Sequence, residues 1–318
     1  MCRVTLAVIA ISCFACLAGT AVGADYSGRK VLHIDSYHQG NEWNDRIAAA
    51  VREVLEPVGV ELKVFHMDTK RNKSEAFKKA AALEAKQAIE AFAPDVVTAS
   101  DDNASKFLIM PYYRDAELPF VFCGLNWDAS VYGMPYSNVT GMVEVSPIPQ
   151  IVRLLRRYAK GQRIGYLAED TLTKRKELEH HRRLFDIEYE RTYLVKSFAE
   201  WKQSYLRAQE EVDMLIILGH AAVTDWDDQA AQRLAEQHTR IPSGTDFAWL
   251  MHFTMLGVGK LPEEQGRWAA HAALRILDGV PPSRIPLAYN KDGKLYFNTR
   301  IGARMGITDP PALAELVP

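Results

Sequence analysis

The chain reads as an α/β protein with parallel sheets, built as two lobes, and three observations predict this. Four times between Arg29 and Asn126 an apolar strand ends in a polar tip and passes into a helix or turn. A second strand–helix series follows Gln162. Regular alternation of strand and helix is the pattern of helices covering a parallel sheet. The four tips are Asp35-Ser36-Tyr37-His38, Asp68-Thr69-Lys70-Arg71, Ser100-Asp101-Asp102-Asn103 and Gly124-Leu125-Asn126-Trp127. In open parallel sheets ligands sit beyond the carboxyl ends of the strands. Two lobes with such edges suggest a clamshell that closes on a small molecule.

The elements follow in order. The first strand is Lys30 to Asp35. Asn41 is placed to cap a helix whose apolar face is Trp43, Ile47, Ala50, Val51 and Val54, stopped by Pro57 and Gly59. Val60 to Met67 alternates as a second strand, and Ser74 caps a helix that runs to about Phe92. Asp95 to Ser100 is a third strand, followed after Asn103 by a short helix broken at Pro111. Phe120 to Gly124 reads as a fully buried fourth strand. Asn138 to Glu144 is extended and reads as a crossing between lobes, and Ser146 starts the next helix.

The second lobe opens at Arg163 to Leu167. A charged helix spans about Leu172 to Tyr189, a strand Thr192 to Phe198, a helix Ala199 to Glu211, and a strongly apolar strand Val212 to Leu218. Trp226 to His238 is helical by pattern, and Ile241 to Asp246 is a strand-to-turn passage. Met255 to Gly259 is a Gly-rich strand and Glu263 to Leu277 a helix that Pro281-Pro282 cannot continue. Leu295 to Asn298 is a last short strand before a small helical tail. The lobes are expected at 25–140 plus about 253–280, and at 141–252 plus about 281–318.

The first residues read as an export signal. A basic start (Met1-Cys2-Arg3) precedes an apolar run from Val4 to Leu17, too short for a comfortable membrane span, and small residues place cleavage after Ala24. An uncleaved anchor or a lipoprotein form are the alternatives, and a periplasmic location follows from export. Three of four cysteines lie in this leader, so no internal disulfide is expected, and Cys123 reads as a small buried hydrophobe. With 38 Lys and Arg against 40 Asp and Glu, the formal charge of −2 carries no nucleic-acid footprint. The basic run Lys70-Arg71-Asn72-Lys73 reads as a solvated start of a helix, and the adjacent His180 and His181 point apart and make a poor metal pair.

Ordered motifs cover nearly all of the chain after the leader. They are Ser36-Tyr37-His38 with Trp43-Asn44-Asp45 and Met67-Asp68-Thr69-Lys70-Arg71; Gly257-Val258-Gly259 with Glu264-Gln265-Gly266-Arg267 and Arg275-Ile276-Leu277-Asp278-Gly279; and Ile285-Pro286 with Phe297-Asn298-Thr299 and Ala303-Arg304-Met305-Gly306-Ile307. This set resembles the ABC-transporter substrate-binding family, a branch of the type I periplasmic binding proteins. The Ser-Tyr-His opening is similar to its sensor-kinase-associated members. The resemblance implies two Rossmann-like lobes joined by a hinge of three crossings, and a small ligand trapped between them. It also implies delivery to an ABC-transporter permease, or presentation of the closed form to a sensor kinase or diguanylate cyclase.

The candidate ligand contacts are polar or aromatic groups at strand ends: Ser36, Tyr37, His38, Asp101, Asp102, Asn103, Asn126 and Trp127 from the first lobe, and Glu169, His220 and Asp246 from the second. Carboxylates at such tips are costly to bury unless something pairs with them. Each has a structural competitor: Asp102 and Asn103 can cap a helix, and the Ser36–His38 run can be ordinary turn chemistry. Trp43 reads as helix core, Asp68 as a partner of Arg71, Asp170 as a cap, and Glu144 as a residue of the crossing. Asp and aromatic groups without Arg favour an amine-bearing or aromatic ligand, such as an amino acid, over a phosphate. No cofactor or metal is expected, and a monomer is. The rival is a secreted α/β enzyme using Asp101, Asp102 and Glu169 as an acid/base set. Against it, the chain carries no Gly-x-Ser-x-Gly, His-Glu-x-x-His or Gly-x-Gly-x-x-Gly motif.

Overall fold

A computed structural model describes residues 25–318; the expected leader and the cleavage expected after Ala24 lie outside the described residues. The first lobe runs β1 (Lys30–Asp35), α1 (Glu42–Leu55), β2 (Glu61–His66), α2 (Glu75–Phe92), β3 (Val96–Ser100), α3 (Asp101–Ala104), α4 (Met110–Tyr112), β4 (Phe120–Asn126) and β5 (Val139–Glu144). The second runs α5 (Ile148–Leu155), β6 (Ile164–Glu169), α6 (Leu172–Phe185), β7 (Arg191–Val195), α7 (Phe198–Glu211), β8 (Met214–Leu218), α8 (Asp228–His238), β9 (Ser243–Thr245) and β10 (Leu256–Lys260). The chain then supplies α9 (Pro262–Leu277), β11 (Ala288–Tyr289), β12 (Gly293–Asn298), α10 (Thr299–Arg304) and β13 (Glu315–Val317).

The strands make two sheets, ordered β11-β5-β4-β3-β1-β2 and β13-β12-β10-β9-β8-β6-β7. In each sheet the first five strands pair in the doubly wound order 2-1-3-4-5, so each reverses direction beside its first strand. Apolar side chains fill both faces of the first sheet. Ile47, Val51 and Ala269 lie on one face, and Leu32, Ala82 and Phe122 on the other. Trp201, Tyr205, Ile216 and Phe253 centre the second core. The helix starts follow capping chemistry. Asn41, Ser74, Thr171, Ser197 and Asp227 each accept a backbone N–H of the first turn through the side chain.

Sheet membership corrects the expected lobe boundaries. Residues 256–260, placed by the sequence with the first lobe, form β10 of the second sheet, and 288–289, placed with the second, form β11 of the first. The sequence of α9 pointed to the correct lobe. Gly266 lets it lie directly on α1, where a Cβ would come 2.3 Å from the Ile47 carbonyl oxygen. The stretch expected as a crossing, 138–144, is strand β5, and the chain leaves the first sheet only after Glu144.

Other differences are local. The helix expected after Asn103 begins at Asp101 and carries a π-helical stretch, Ser105–Ile109. Thr171 rather than Asp170 caps α6, and Asp170 pairs with Arg175 at 2.6 Å. Strands β11 and β13, only two and three residues long, gave no sequence signal. Among the described residues no helix is long and apolar enough to cross a membrane.

Three crossings join the lobes, after β5, after β10 and after β11. They are tied together. Asn290 accepts the Val145 N–H at 2.7 Å and donates to its carbonyl at 3.1 Å. Glu264 accepts the N–H groups of Lys291 and Asp292.

Candidate functional site

The carboxyl ends of the two sheets face a cavity of about 440 Å³. From the first lobe it is lined by Tyr37, Asn41, Trp43, Lys70, Asp101, Asn126 and Glu144. From the second come Asp246, Phe247, Ala248, Gly259, Lys260 and Tyr296. A smaller cavity of about 270 Å³ lies at the hinge between Val145, Pro147, Leu184, Phe185 and Tyr289. Its walls are mostly apolar with few convergent polar groups, so the interlobe cleft is the better candidate site.

Four of the residues singled out by sequence line the cleft: Tyr37, Asp101, Asn126 and Asp246. Asp101 opens α3 at φ +67 and is almost fully buried. Asn44, one turn into α1, donates its amide to Asp101 at 2.7 Å and to Asp35 at 2.5 Å, with a longer contact to Ser100 Oγ at 3.2 Å. Burial pushes the Asp101 pKa well above the ordinary carboxyl value. The Asn44 bond works against that shift, and the Glu144, Asp35 and Asp102 carboxylates add to it. Asp101 is therefore held toward its neutral, proton-bearing form, which can donate as well as accept. Burial, with the same carboxylates, also raises the pKa of Tyr37, whose ring lies under Lys70 Nζ at 4.7 Å.

The second lobe answers with less. Asp246 is buried, accepts the Ser146 hydroxyl at 2.5 Å through Oδ2, and leaves Oδ1 with no hydrogen-bond partner. Beside it Lys260 pairs with Glu144 at 2.5 Å, an ion pair between the ends of β10 and β5, the strands that lead into the second and first crossings. Burial opposes the Lys260 charge, but Glu144 and Asp246 outweigh it and raise its pKa. Lys260 also sits 5.8 Å from the Trp43 ring. Among the described residues, the cleft carries four aromatic side chains, two lysines and no arginine.

The remaining sequence candidates are turned elsewhere. Ser36 is fully buried; its hydroxyl donates to the Ser100 carbonyl and accepts the Ala104 N–H at 2.8 Å. Asn103 donates to Thr69 Oγ1 at 2.9 Å, and Thr69 bonds the Ser36 carbonyl. Asp102 accepts the Asn126 amide at 2.6 Å and the Tyr132 hydroxyl at 2.8 Å. His38 faces Asp68 at 3.7 Å, and Asp68 is paired with Arg71 at 2.7 Å. Trp127 stacks on His180. Glu169 turns back to the Ala222 N–H at 2.5 Å, and His220 lies flat on Trp226, ring centroids 3.8 Å apart. None of these seven lines the cleft cavity. Strand-end position places a side chain at the edge, but local hydrogen bonding decides which way it turns. Cys123 is buried among apolar groups, with burial pushing its thiol pKa well up.

Sequence reasoning missed Asn41, Lys70, Phe247, Ala248, Gly259, Lys260 and Tyr296 as cleft residues, and weighed Trp43 as core. Asn41 was legible only as a cap. Lys260 ends a strand assigned to the wrong lobe. Tyr296 reaches the cleft from β12, which runs antiparallel to β10, so no rule about parallel strand ends finds it.

No family model matches the chain, and no curated protein matches it. Solved structures do. One is the ligand-free, open structure of a substrate-binding protein with adhesive properties from Clostridium difficile (14% identity, 91% of this chain and 99% of that chain, TM-score 0.67). Another is a periplasmic ribose ABC transporter protein from Conexibacter woesei (15%, 89% and 97%, TM-score 0.55). A third is an ABC domain in complex with L-Trp from Streptococcus pneumonia (16%, 91% and 99%, TM-score 0.51). At these identities the likeness establishes architecture: the chain has the type I periplasmic binding protein fold, two parallel-sheet lobes joined by a hinge.

Proposed function

We propose that this chain is an exported solute-binding protein. It traps a small amine-bearing or aromatic ligand between its lobes and delivers it to an ABC-transporter permease. The observation that carries the reading is the cleft itself. Polar groups from both lobes converge there, and Asp246, buried on the second lobe, keeps a carboxylate oxygen without a partner. A buried, half-satisfied carboxylate is costly, and a ligand N–H could supply the missing donor. Tyr37, Trp43, Phe247 and Tyr296 suit a ring or apolar body. Closure about the three crossings is the motion such a clamshell uses.

The solved neighbours support this reading, because proteins named for substrate binding and ABC transport share the fold. The ligand class rests on the cleft alone. Catalysis is disfavoured by where the candidate acid/base set points: Glu169 is turned to backbone, and Asp102 is committed to Asn126 and Tyr132. The sensor alternative rests on the Ser36-Tyr37-His38 motif, and a kinase gene rather than a permease gene beside this one would favour it.

The test is a thermal-shift screen of primary amines, aromatic amino acids, sugars and organic phosphates, followed by small-angle scattering with any hit. An amine or aromatic hit that also compacts the protein supports the reading. Stabilisation by phosphates alone, or turnover of the hit, contradicts it.

A further inference from the structure

Four aromatic side chains and a carboxylate in one cleft have the composition of a cage for a quaternary ammonium, which binds against ring faces and makes no N–H hydrogen bond. Here every one of those rings already serves a cation of the protein. Lys70 Nζ stands 4.7 Å from the centre of the Tyr37 ring, and Lys260 Nζ stands 5.8 Å from that of Trp43. Lys174 Nζ lies 5.3 Å from the Phe247 ring, and Lys294 Nζ 5.3 Å from that of Tyr296.

The four lysines are placed in two ways. Lys70 and Lys260 line the cleft together with their rings, so a resident ammonium stands where a ligand's cation would meet Tyr37 or Trp43. Lys174 and Lys294 do not line it. Lys174 is buried and held by both oxygens of Glu177, at 2.8 and 3.0 Å, and Lys294 is exposed and paired with Glu315 at 2.5 Å. The Phe247 and Tyr296 rings therefore reach the cleft with their electron density already drawn toward a cation outside it. A neutral ring or apolar body still packs on all four. Asp246 makes the opposite offer. Its Oδ1 is buried without a hydrogen-bond partner, and such an oxygen is satisfied by an N–H, not by a methyl group.

We propose that the cleft discriminates among ammonium groups: it takes a primary or secondary one, which donates N–H to Asp246, and rejects a quaternary one, because Lys70, Lys174, Lys260 and Lys294 have claimed the ring faces. The inference rests on the solute-binding reading and its amine-bearing class, and narrows that class to ammonium groups that keep a hydrogen. Both kinds of ammonium carry one positive charge, so the overall field of the cleft acts on them alike. Only the N–H and the ring faces separate them.

The test is calorimetric titration of the ligand-free protein with two matched pairs of probes, ethanolamine against choline and phenethylamine against its N-trimethyl form. The N–H member should bind at least about 30-fold more tightly, the effect of one charge-assisted hydrogen bond. Asp246→Asn should weaken the N–H member more than the trimethyl member and narrow that ratio about tenfold. Lys70→Met combined with Lys294→Met removes two exposed lysines and orphans no buried carboxylate. By opening Tyr37 and Tyr296 it should narrow the ratio about fivefold. A trimethyl probe that binds as tightly as its partner overturns the inference while leaving the cleft a ligand site. A ratio unchanged in the double lysine variant overturns the role of the lysines, and one unchanged in Asp246→Asn overturns that of Asp246. Binding of no member of either pair removes the amine-bearing class itself, and this inference with it.

Discussion

The two edges that face the cleft are built on opposite plans. On the first lobe the carboxylates are taken up by neighbouring donors, and the atoms left without a partner at this edge are neutral ones, Asn44 Oδ1, His38 Nδ1 and Ser105 Oγ. Asn44 bridges Asp35 and Asp101, Ser36 joins Ser100 to Ala104, and Asn126 and Tyr132 saturate Asp102. On the second lobe Asp246 has one hydrogen bond and an oxygen without a hydrogen-bond partner, and its neighbours in the cleft are Phe247, Ala248 and the Lys260 cation. The difference teaches that a dense cluster of polar residues at strand ends can be scaffold, while a sparse one is free to meet a ligand. The same 2-1-3-4-5 strand order underlies both, so the distinction lies in side chains, not topology.

Four substitutions sharpen or break that contrast. The largest effect is expected from Asn44→Leu, which strips two buried carboxylates of their shared donor. It should cost about 3 kcal/mol or more in urea unfolding. A loss under about 1 kcal/mol would mean the first edge is not scaffold. Asp246→Asn should do the reverse. Stability should change by no more than about 1 kcal/mol, because relief of a half-satisfied buried carboxylate is offset by loss of a charge that supports Lys260. Binding of an amine ligand falls about 30- to 100-fold, as expected for losing one charge-assisted bond. Ser36→Ala should cost about 1–2 kcal/mol by orphaning the Ala104 N–H, with ligand affinity changed little once the protein is folded.

The smallest effect belongs to Asp101→Asn, which mimics the neutral form toward which burial shifts this carboxyl. Near neutral pH the change should be within about 1 kcal/mol. Its signature is in pH. With the folded pKa raised, the native state keeps a proton the unfolded chain releases, so this stabilisation is full below the ordinary carboxyl value and is lost as pH rises through the folded one. Asp101→Asn should flatten that slope, and an unchanged slope would place Asp101 in its charged form.

Much of the architecture was legible because it rests on local rules. Strand β1 and the caps Asn41 and Ser74 lie where apolar patterning and capping chemistry put them. What stayed hidden depends on distant partners. Strand β11 is two residues long and exists because β5 offers an edge. The lobe assignment of β10 follows from its pairing with β9 and β12. Of the cleft, sequence identified the strand-end residues Tyr37, Asp101, Asn126 and Asp246, two of which, Asp101 and Asn126, face it while also bonded to a neighbour. It over-counted those, such as Ser36 and Asn103, that the strand–helix junctions consume.

The most direct test of the account is native mass spectrometry of the protein purified, without denaturation, from the cells that make it. The account predicts a co-purifying small molecule bound one per chain, bearing an amine or a ring, and absent from Asp246→Asn prepared the same way. A bound organic phosphate, or a molecule retained equally by Asp246→Asn, would contradict it.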